Sequence, residues 1–199
     1  MSKFTRYTIS KFYDFAEKHY IRDYERALLV IRKNLVFNES DIILDIGGGT
    51  GFILQEIYKE AFMAINIDTS KNMLQQLKNK NIFKIQGDGT FLPIKNESIG
   101  IVLLINVLHH IHEKNHKLLF KEMSRILKKN GTFFMIDLHY PMTFMAKIFT
   151  IIEEFILGKT YHIPSEKILE ILNELSFTIK LVTYMGKNKW IYSIKAIKN

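Results

Sequence analysis

A chain of 199 residues is one ordinary domain's worth of sequence, since domains typically span ~100–200 residues. Hydrophobic residues make up 47% and charged residues 24%, with 3 Pro and 10 Gly, which excludes a low-complexity or disordered chain. No cysteine is present, so disulfides, thiolate metal sites and cysteine nucleophiles are excluded, and a reducing, cytoplasmic compartment is expected.

Lys and Arg number 28 against 20 Asp and Glu, a net charge of +8. Such an excess can serve RNA, a phospholipid surface or an acidic metabolite, but Lys114, Lys117, Lys121, Lys128 and Lys129 recur at intervals that suit a solvated helix face. Nucleic acid is the weaker reading. No apolar segment of signal-peptide type stands at the N-terminus, and the apolar run at residues 101–105 falls far short of the ~20 residues that span a membrane. No transmembrane segment is expected.

Between residues 10 and 35, Phe12, Phe15, Ala16, Tyr20, Tyr24, Ala27, Leu28 and Ile31 recur at three-to-four spacing, which predicts one or two amphipathic helices. Residues 41–46 form a nearly continuous apolar run ending at a glycine cluster, as a parallel strand buried on both faces does. Helical spacing resumes at Ile53, Leu54, Ile57, Tyr58 and Ala61. The alternation repeats, with strands over 62–67, 82–86, 99–105 and 132–138 and helices over 70–79 and 115–129. Strands alternating with helices imply βαβ crossovers and a parallel sheet. A helix over 165–175 follows, then strand-like runs over 177–185 and 189–197 joined by Gly186-Lys187-Asn188. So short a link joins only antiparallel neighbours. The predicted fold is α/β: a doubly wound, Rossmann-like sheet, mostly parallel with a C-terminal antiparallel hairpin and helices on both faces. One domain is expected, with a helical cap over 1–38, a core over 39–138, an apolar insert over 139–164 and a helix and hairpin over 165–199.

The segment Ile42-Ile43-Leu44-Asp45-Ile46-Gly47-Gly48-Gly49-Thr50-Gly51 joins the first strand to the next helix. Glycines there permit positive φ and let backbone N–H groups approach a ligand. The dinucleotide fingerprint started at Gly47 needs glycine at position 52, where Phe52 stands. Asp45 separates ligand classes by charge, because a carboxylate repels a pyrophosphate but attracts an ammonium or sulfonium. Asp68, at the end of the next strand, can accept both hydroxyls of a ribose, and Asp88 follows the third strand. The plainer readings make Asp45 a turn cap and Asp68 a helix cap before Ser70. Three carboxylates at successive strand ends nevertheless line one crevice of a doubly wound sheet.

On these residues the chain resembles the class I S-adenosylmethionine-dependent methyltransferases, in particular the small-molecule branch that includes ubiquinone and menaquinone biosynthesis enzymes. Leu44 to Gly51 is similar to the family's first motif, and Asp68-Thr69-Ser70-Lys71-Asn72-Met73-Leu74 to its ribose-binding acid and following helix. Gly87-Asp88-Gly89-Thr90-Phe91-Leu92-Pro93-Ile94 resembles the stretch whose aspartate meets the adenine amine. Asn106-Val107-Leu108-His109-His110-Ile111 and Glu122-Met123-Ser124-Arg125-Ile126-Leu127-Lys128 resemble the segments after the fourth strand and in the long helix. The resemblance implies S-adenosylmethionine as cofactor, S-adenosylhomocysteine as product, and a cofactor site of Asp45, Gly47, Gly49, Gly51, Asp68, Thr69, Met73, Asp88, Gly89 and Asn106. Two departures stand out: Ser98-Ile99-Gly100 lacks the family's acid, and Lys129-Asn130-Gly131 replaces a proline-glycine-glycine turn.

Methyl transfer from a sulfonium needs alignment in a dry pocket, and a base only where the nucleophile holds its proton. His109 and His110 are the candidate catalytic residues, each able to take a proton near neutral pH. The competing reading packs one between strand and helix and exposes the other. Lacking an Asn/Asp-Pro-Pro-aromatic motif after the fourth strand and lacking cysteine, the chain does not fit amine methylation of DNA bases or covalent pyrimidine methylation. Asp137 without an acid at Asn106 does not make a magnesium site. His112-Glu113-Lys114-Asn115-His116 matches the H-E-x-x-H zinc pattern, but in a lysine-rich helix without a third ligand, so no metal is expected.

The insert over 139–164 is rich in large apolar residues, including Met142, Phe144, Met145, Ile148 and Phe149. It reads as a lid over an apolar or aromatic acceptor, with Tyr13, Tyr20, Phe144 and Phe149 as candidate substrate residues, as a core-completing helix, or as a docking patch. The expected function is methyl transfer to a small apolar or aromatic acceptor. The alternatives are an RNA methyltransferase using the basic surface and a non-catalytic S-adenosylmethionine-binding protein.

Overall fold

The computed structural model describes residues 25–138, 151, 154, 159–185 and 191–199. The chain divides into two compact units, Met1–Val36 and Phe37–Asn199. In the first, residues 25–34 are helical, where the spacing of Ala27, Leu28 and Ile31 predicts it.

The second unit is built on a seven-stranded sheet. Its strands are β1 (Ile42–Ile46), β2 (Met63–Asp68), β3 (Ile82–Gln86), β4 (Ile99–Ile105), β5 (Leu127–Leu138), β6 (Phe177–Met185) and β7 (Ile191–Lys198). The helices are α1 (Phe52–Ile57), α2 (Lys71–Gln76), α3 (Glu113–Ile126) and α4 (Ser165–Glu174), with 3-10 turns at Tyr58–Glu60 and Leu108–His110. The strand order is β3-β2-β1-β4-β5-β7-β6. β1 to β5 run parallel, while β7 is antiparallel to both β5 and β6, so the predicted hairpin closes the sheet.

Burial explains the order. All seven residues of β4, Ile-Gly-Ile-Val-Leu-Leu-Ile, are buried, as a central parallel strand covered on both faces requires. β3 is largely exposed, which suits its place at the sheet edge. Leu119, Phe120 and Met123 of α3, Phe133 and Met135 of β5, and Ile168 and Leu172 of α4 join one core. Phe120 meets Phe133 edge to face at 5.8 Å between ring centres. Each such side chain contributes about 1.5–3 kcal/mol on burial.

The helices are shorter than their periodicity suggests. α2 stops at Gln76 because Leu77 turns extended and fully buried, and α3 gives way at Leu127, which pairs with Ile99 on β4. The register then shifts, and Asn130 takes a left-handed φ of 61°, so the Asn130-Gly131 turn does its work inside the start of β5. Gly100 also has a reason: a Cβ there would lie 2.5 Å from Asp41 Oδ1, which occupies the space beside it. Most of the 139–164 insert and the 186–190 link lie outside the described residues. No helix among the described residues is long and apolar enough to cross a membrane.

Candidate active site

The chain winds from β1 to β2 and β3 on one side and then returns to place β4 on the other, so the sheet reverses direction between β1 and β4. Ligands of open α/β sheets bind beyond the strand ends at this reversal, and the glycine loop lies there. Gly47, Gly49 and Gly51 all adopt positive φ, at 71°, 54° and 72°. At Gly47 a side chain would be strained twice over, since a Cβ would also lie 2.6 Å from both methyls of Val107, just beyond β4.

Behind the loop Asp45 and Asn66 stand side by side on β1 and β2. Both are buried, and Asp45 Oδ1 and Asn66 Oδ1 have no hydrogen-bond donor. Asn66 Nδ2 donates to the Gly49 carbonyl at 3.0 Å. Burial, helped by the charge of Asp68, pushes the Asp45 carboxyl up to about 7. A cation carrying N–H groups supplies what these atoms lack, both a donor and a positive charge.

Asp68 ties two backbone segments together. Its Oδ2 accepts from Gly49 N–H at 2.9 Å and its Oδ1 from Ser70 N–H at 2.7 Å. It therefore does the capping work of the plainer reading, and each oxygen keeps a second lone pair for a hydroxyl. Thr69 and Met73 are exposed beside it at the start of α2. Asp88 is exposed, its Oδ1 accepting from both the backbone N–H and the hydroxyl of Thr90 at 2.8 Å. A Cβ on Gly89 would lie 2.8 Å from Ile46 and from Leu119, so the loop after β3 closes tightly over the end of β1. Asn106 takes a left-handed φ of 55° and donates its N–H to the Ile136 carbonyl at 2.8 Å.

The two candidate catalytic histidines differ sharply. His110 is exposed, whereas His109 is buried, its Nδ1 lying 2.5 Å from Asp137 Oδ1. Asp137, also buried, accepts from the backbone N–H groups of Val107 at 3.2 Å, Leu108 at 2.7 Å and Leu138 at 2.7 Å. Burial opposes its ionisation, yet His109 and these N–H groups hold the carboxyl below the usual range. The ring of His162 stacks on that of His109 at 6.1 Å, and Tyr161 N–H donates to the His109 carbonyl at 2.6 Å.

The H-E-x-x-H pair does structural work instead. His112 caps α3, its Nδ1 accepting from Lys114 N–H at 3.3 Å, and His116 Nε2 bonds the Ile111 carbonyl at 2.7 Å. Tyr13, Tyr20, Phe144 and Phe149 lie outside the described residues. Sequence reasoning passed over Asn66 and the part played by Asp137. A signal existed: each is a polar residue inside an otherwise apolar strand, Met-Ala-Ile-Asn-Ile-Asp and Phe-Phe-Met-Ile-Asp-Leu, where burial costs free energy unless a partner is present.

Sheet order, glycine loop and strand-end acids define a Rossmann-like fold with a candidate ligand crevice where the strand order reverses. The family described as Methyltransferase domain matches residues 44–135, from the last strand residues before the glycine loop to β5. Demethylmenaquinone methyltransferase of Corynebacterium glutamicum is 29% identical over 111 residues, covering 56% of this chain and 47% of that protein. An uncharacterized protein of Methanocaldococcus jannaschii is 29% identical over 153 residues, covering 71% and 65%. The chain thus spans about half the length of the curated relatives it matches first. In fold it is similar to a SAM-dependent methyltransferase of Thermotoga maritima, with a TM-score of 0.75 at 18% identity over 95% of this chain and 97% of that one. Residues 44–135 thus match a methyltransferase-domain family, and the fold around them is similar to that of solved S-adenosylmethionine-dependent methyltransferases.

Proposed function

We propose that the chain moves the methyl group of S-adenosylmethionine to a small, apolar or aromatic acceptor. The observation that carries this reading is the pair of buried acceptors without donors, Asp45 Oδ1 and Asn66 Oδ1, set behind a glycine loop that Asp68 anchors. This donor-poor, acidic cradle fits a cationic amino-acid nucleoside and repels a pyrophosphate.

Asp45, Gly47, Gly49 and Gly51 would hold the amino-acid end, Asp68 with Thr69 and Met73 the ribose, and Asp88 with Gly89 the adenine, with Asn106 completing the set. When bound, the cofactor supplies an electrophilic methyl carbon on a sulfonium. The chain's residues bind it, orient it and exclude water, which is where most of the rate of an in-line displacement comes from. The apolar composition of residues 139–164 and the likeness to a demethylmenaquinone methyltransferase support an apolar acceptor.

Calorimetric titration with S-adenosylmethionine, S-adenosylhomocysteine and NAD tests the cofactor. Micromolar binding of both sulfur compounds, none of NAD, and weakening by Asp45→Ala are expected. Binding of NAD alone, or of none of the three, overturns the reading.

A further inference from the structure

We infer that binding of the ligand's amino-acid end drives a proton off the pair Asp45 and Asn66, its ammonium group taking over what that proton does in the chain without ligand. The inference rests on the cofactor reading above and deepens it at one end of the ligand.

The pair needs a proton for geometric reasons. Asp45 and Asn66 are cross-strand partners on β1 and β2, and Asp45 stands one residue before the end of its strand. A Cβ on Gly48 would fall against both Asn66 Oδ1 and Asp45 Oδ2, so the two oxygens share one small space under the glycine loop. The amide cannot turn to help the carboxyl without giving up the Gly49 carbonyl, to which its Nδ2 donates at 3.0 Å. What Asn66 presents there is an acceptor, and a carboxylate also only accepts. Asp45 Oδ1 and Asn66 Oδ1 are accordingly buried without a donor. A protonated carboxyl supplies a hydrogen and removes the buried charge.

The surrounding charges act in the same direction. Burial and the charge of Asp68 push the Asp45 carboxyl up to about 7. Below that pH the chain without ligand keeps the proton. Neither β4, where Leu103 neighbours Asp45, nor residues 46–55 carry an ionisable side chain. Glu56 of α1 and Lys71 of α2 are exposed. Lys84 on β3 pairs in register with Asn66, but its Nζ donates to the Leu77 carbonyl at 2.9 Å. Among the described residues Asp68 is the one charge that acts on Asp45.

An ammonium meets both needs of the pair. Its positive charge favours the ionised carboxyl even from ~4–6 Å, and its N–H groups are donors. In the step inferred, the Asp45 O–H bond breaks, the electron pair stays on the carboxylate and the proton passes to the buffer, while the ammonium keeps its hydrogens. A sulfonium has charge but no N–H, so it would leave both oxygens without a donor. The sign follows: ligand binding weakens as the pH falls below about 7.

Calorimetry of the whole chain at pH 6, in two buffers of unlike ionisation heat, counts the protons released per ligand bound. Release of about 0.9 proton is expected with S-adenosylmethionine and equally with S-adenosylhomocysteine, which keeps the ammonium but not the sulfonium. None is expected with 5′-methylthioadenosine, which lacks the amino-acid end. Affinity for the first two should rise about fivefold from pH 5.5 to 6.5, below the range near ~8 where the ligand's own amino group titrates. Asp45→Asn keeps the shape without the titration and should show neither release nor rise; the wild-type counts stand by themselves if it does not fold. Release with S-adenosylmethionine alone would assign the effect to the sulfonium, and release with 5′-methylthioadenosine would assign it to another group. Either result overturns the inference, as does release retained in Asp45→Asn or no release from wild type with any of the three. Failure of wild type to bind both S-adenosylmethionine and S-adenosylhomocysteine at every pH would instead overturn the cofactor reading beneath it.

Discussion

Asp45 and Asn66 face each other across the parallel pair β1 and β2, each keeping a buried oxygen without a donor, and Gly48 passes directly over both. A Cβ at Gly48 would stand 2.2 Å from Asn66 Oδ1 and 2.5 Å from Asp45 Oδ2. The two polar side chains and the bare backbone therefore form one unit, shaped at the level of single atoms.

Gly48→Ala must push the loop away from this pair. Cofactor affinity is expected to fall at least tenfold, about 1.4 kcal/mol, while circular dichroism stays that of the folded chain. Calorimetry giving unchanged affinity would show that the loop's closeness to the pair is irrelevant to binding.

The Asp45 carboxyl makes stability depend on pH in a definite direction. Its folded value of about 7 lies above the ordinary 3.8, so between these values the folded chain binds the extra proton and stability falls as pH rises. About three pH units correspond to about 4 kcal/mol at 1.36 kcal/mol each. Asp45→Asn without cofactor should therefore be several kcal/mol more stable than wild type at pH 8 and gain little at pH 4, by urea unfolding. A gain equal at both pH values would refute the buried charge.

Cofactor affinity should depend on Asp68 as well. Asp68→Ala removes the acceptor shared by Gly49 N–H and Ser70 N–H. A loss of about 1–3 kcal/mol in cofactor binding is expected, with the melting transition still cooperative. Calorimetry on this variant decides it, and full affinity would remove Asp68 from the site.

Arg125 holds the loop between β3 and β4. Its guanidinium donates to the carbonyls of Leu92 at 2.9 Å and Ile94 at 2.8 Å and to Asn96 Oδ1 at 2.7 Å, while pairing through two nitrogens with Glu122. Glu122 in turn accepts from Leu92 N–H at 2.8 Å. A lysine has one nitrogen and cannot reproduce this fork. Arg125→Lys is expected to cost about 2 kcal/mol or more in denaturant unfolding; a cost below the measurement error would mean that water replaces these bonds without loss.

Much of the fold is readable locally. The strands β1, β3 and β4 are short, mostly apolar and bounded by polar or glycine residues, so their limits follow from sequence to within a residue. The glycine loop and Asp45, Asp68 and Asp88 are legible for the same reason: each lies at or just beyond a strand end, and strand ends in such a sheet share one edge. Helix ends were less legible, because Leu77 and Leu127 leave their helices for tertiary burial, which helical spacing does not encode.

What the sequence determines by itself is the succession of elements and the residues at their ends, because periodicity and backbone chemistry act between near neighbours. The tertiary structure decides which ends meet. Asp137 and His109 are 28 positions apart and touch because β4 and β5 pair in parallel register, Ile105 beside Ile136, so that the turn leaving β4 folds onto the end of β5. Asn66 comes beside Asp45 through the register of β1 and β2. Hydrogen bonds act over about 3 Å, so partners far apart along the chain become visible only once the register of the sheet is fixed.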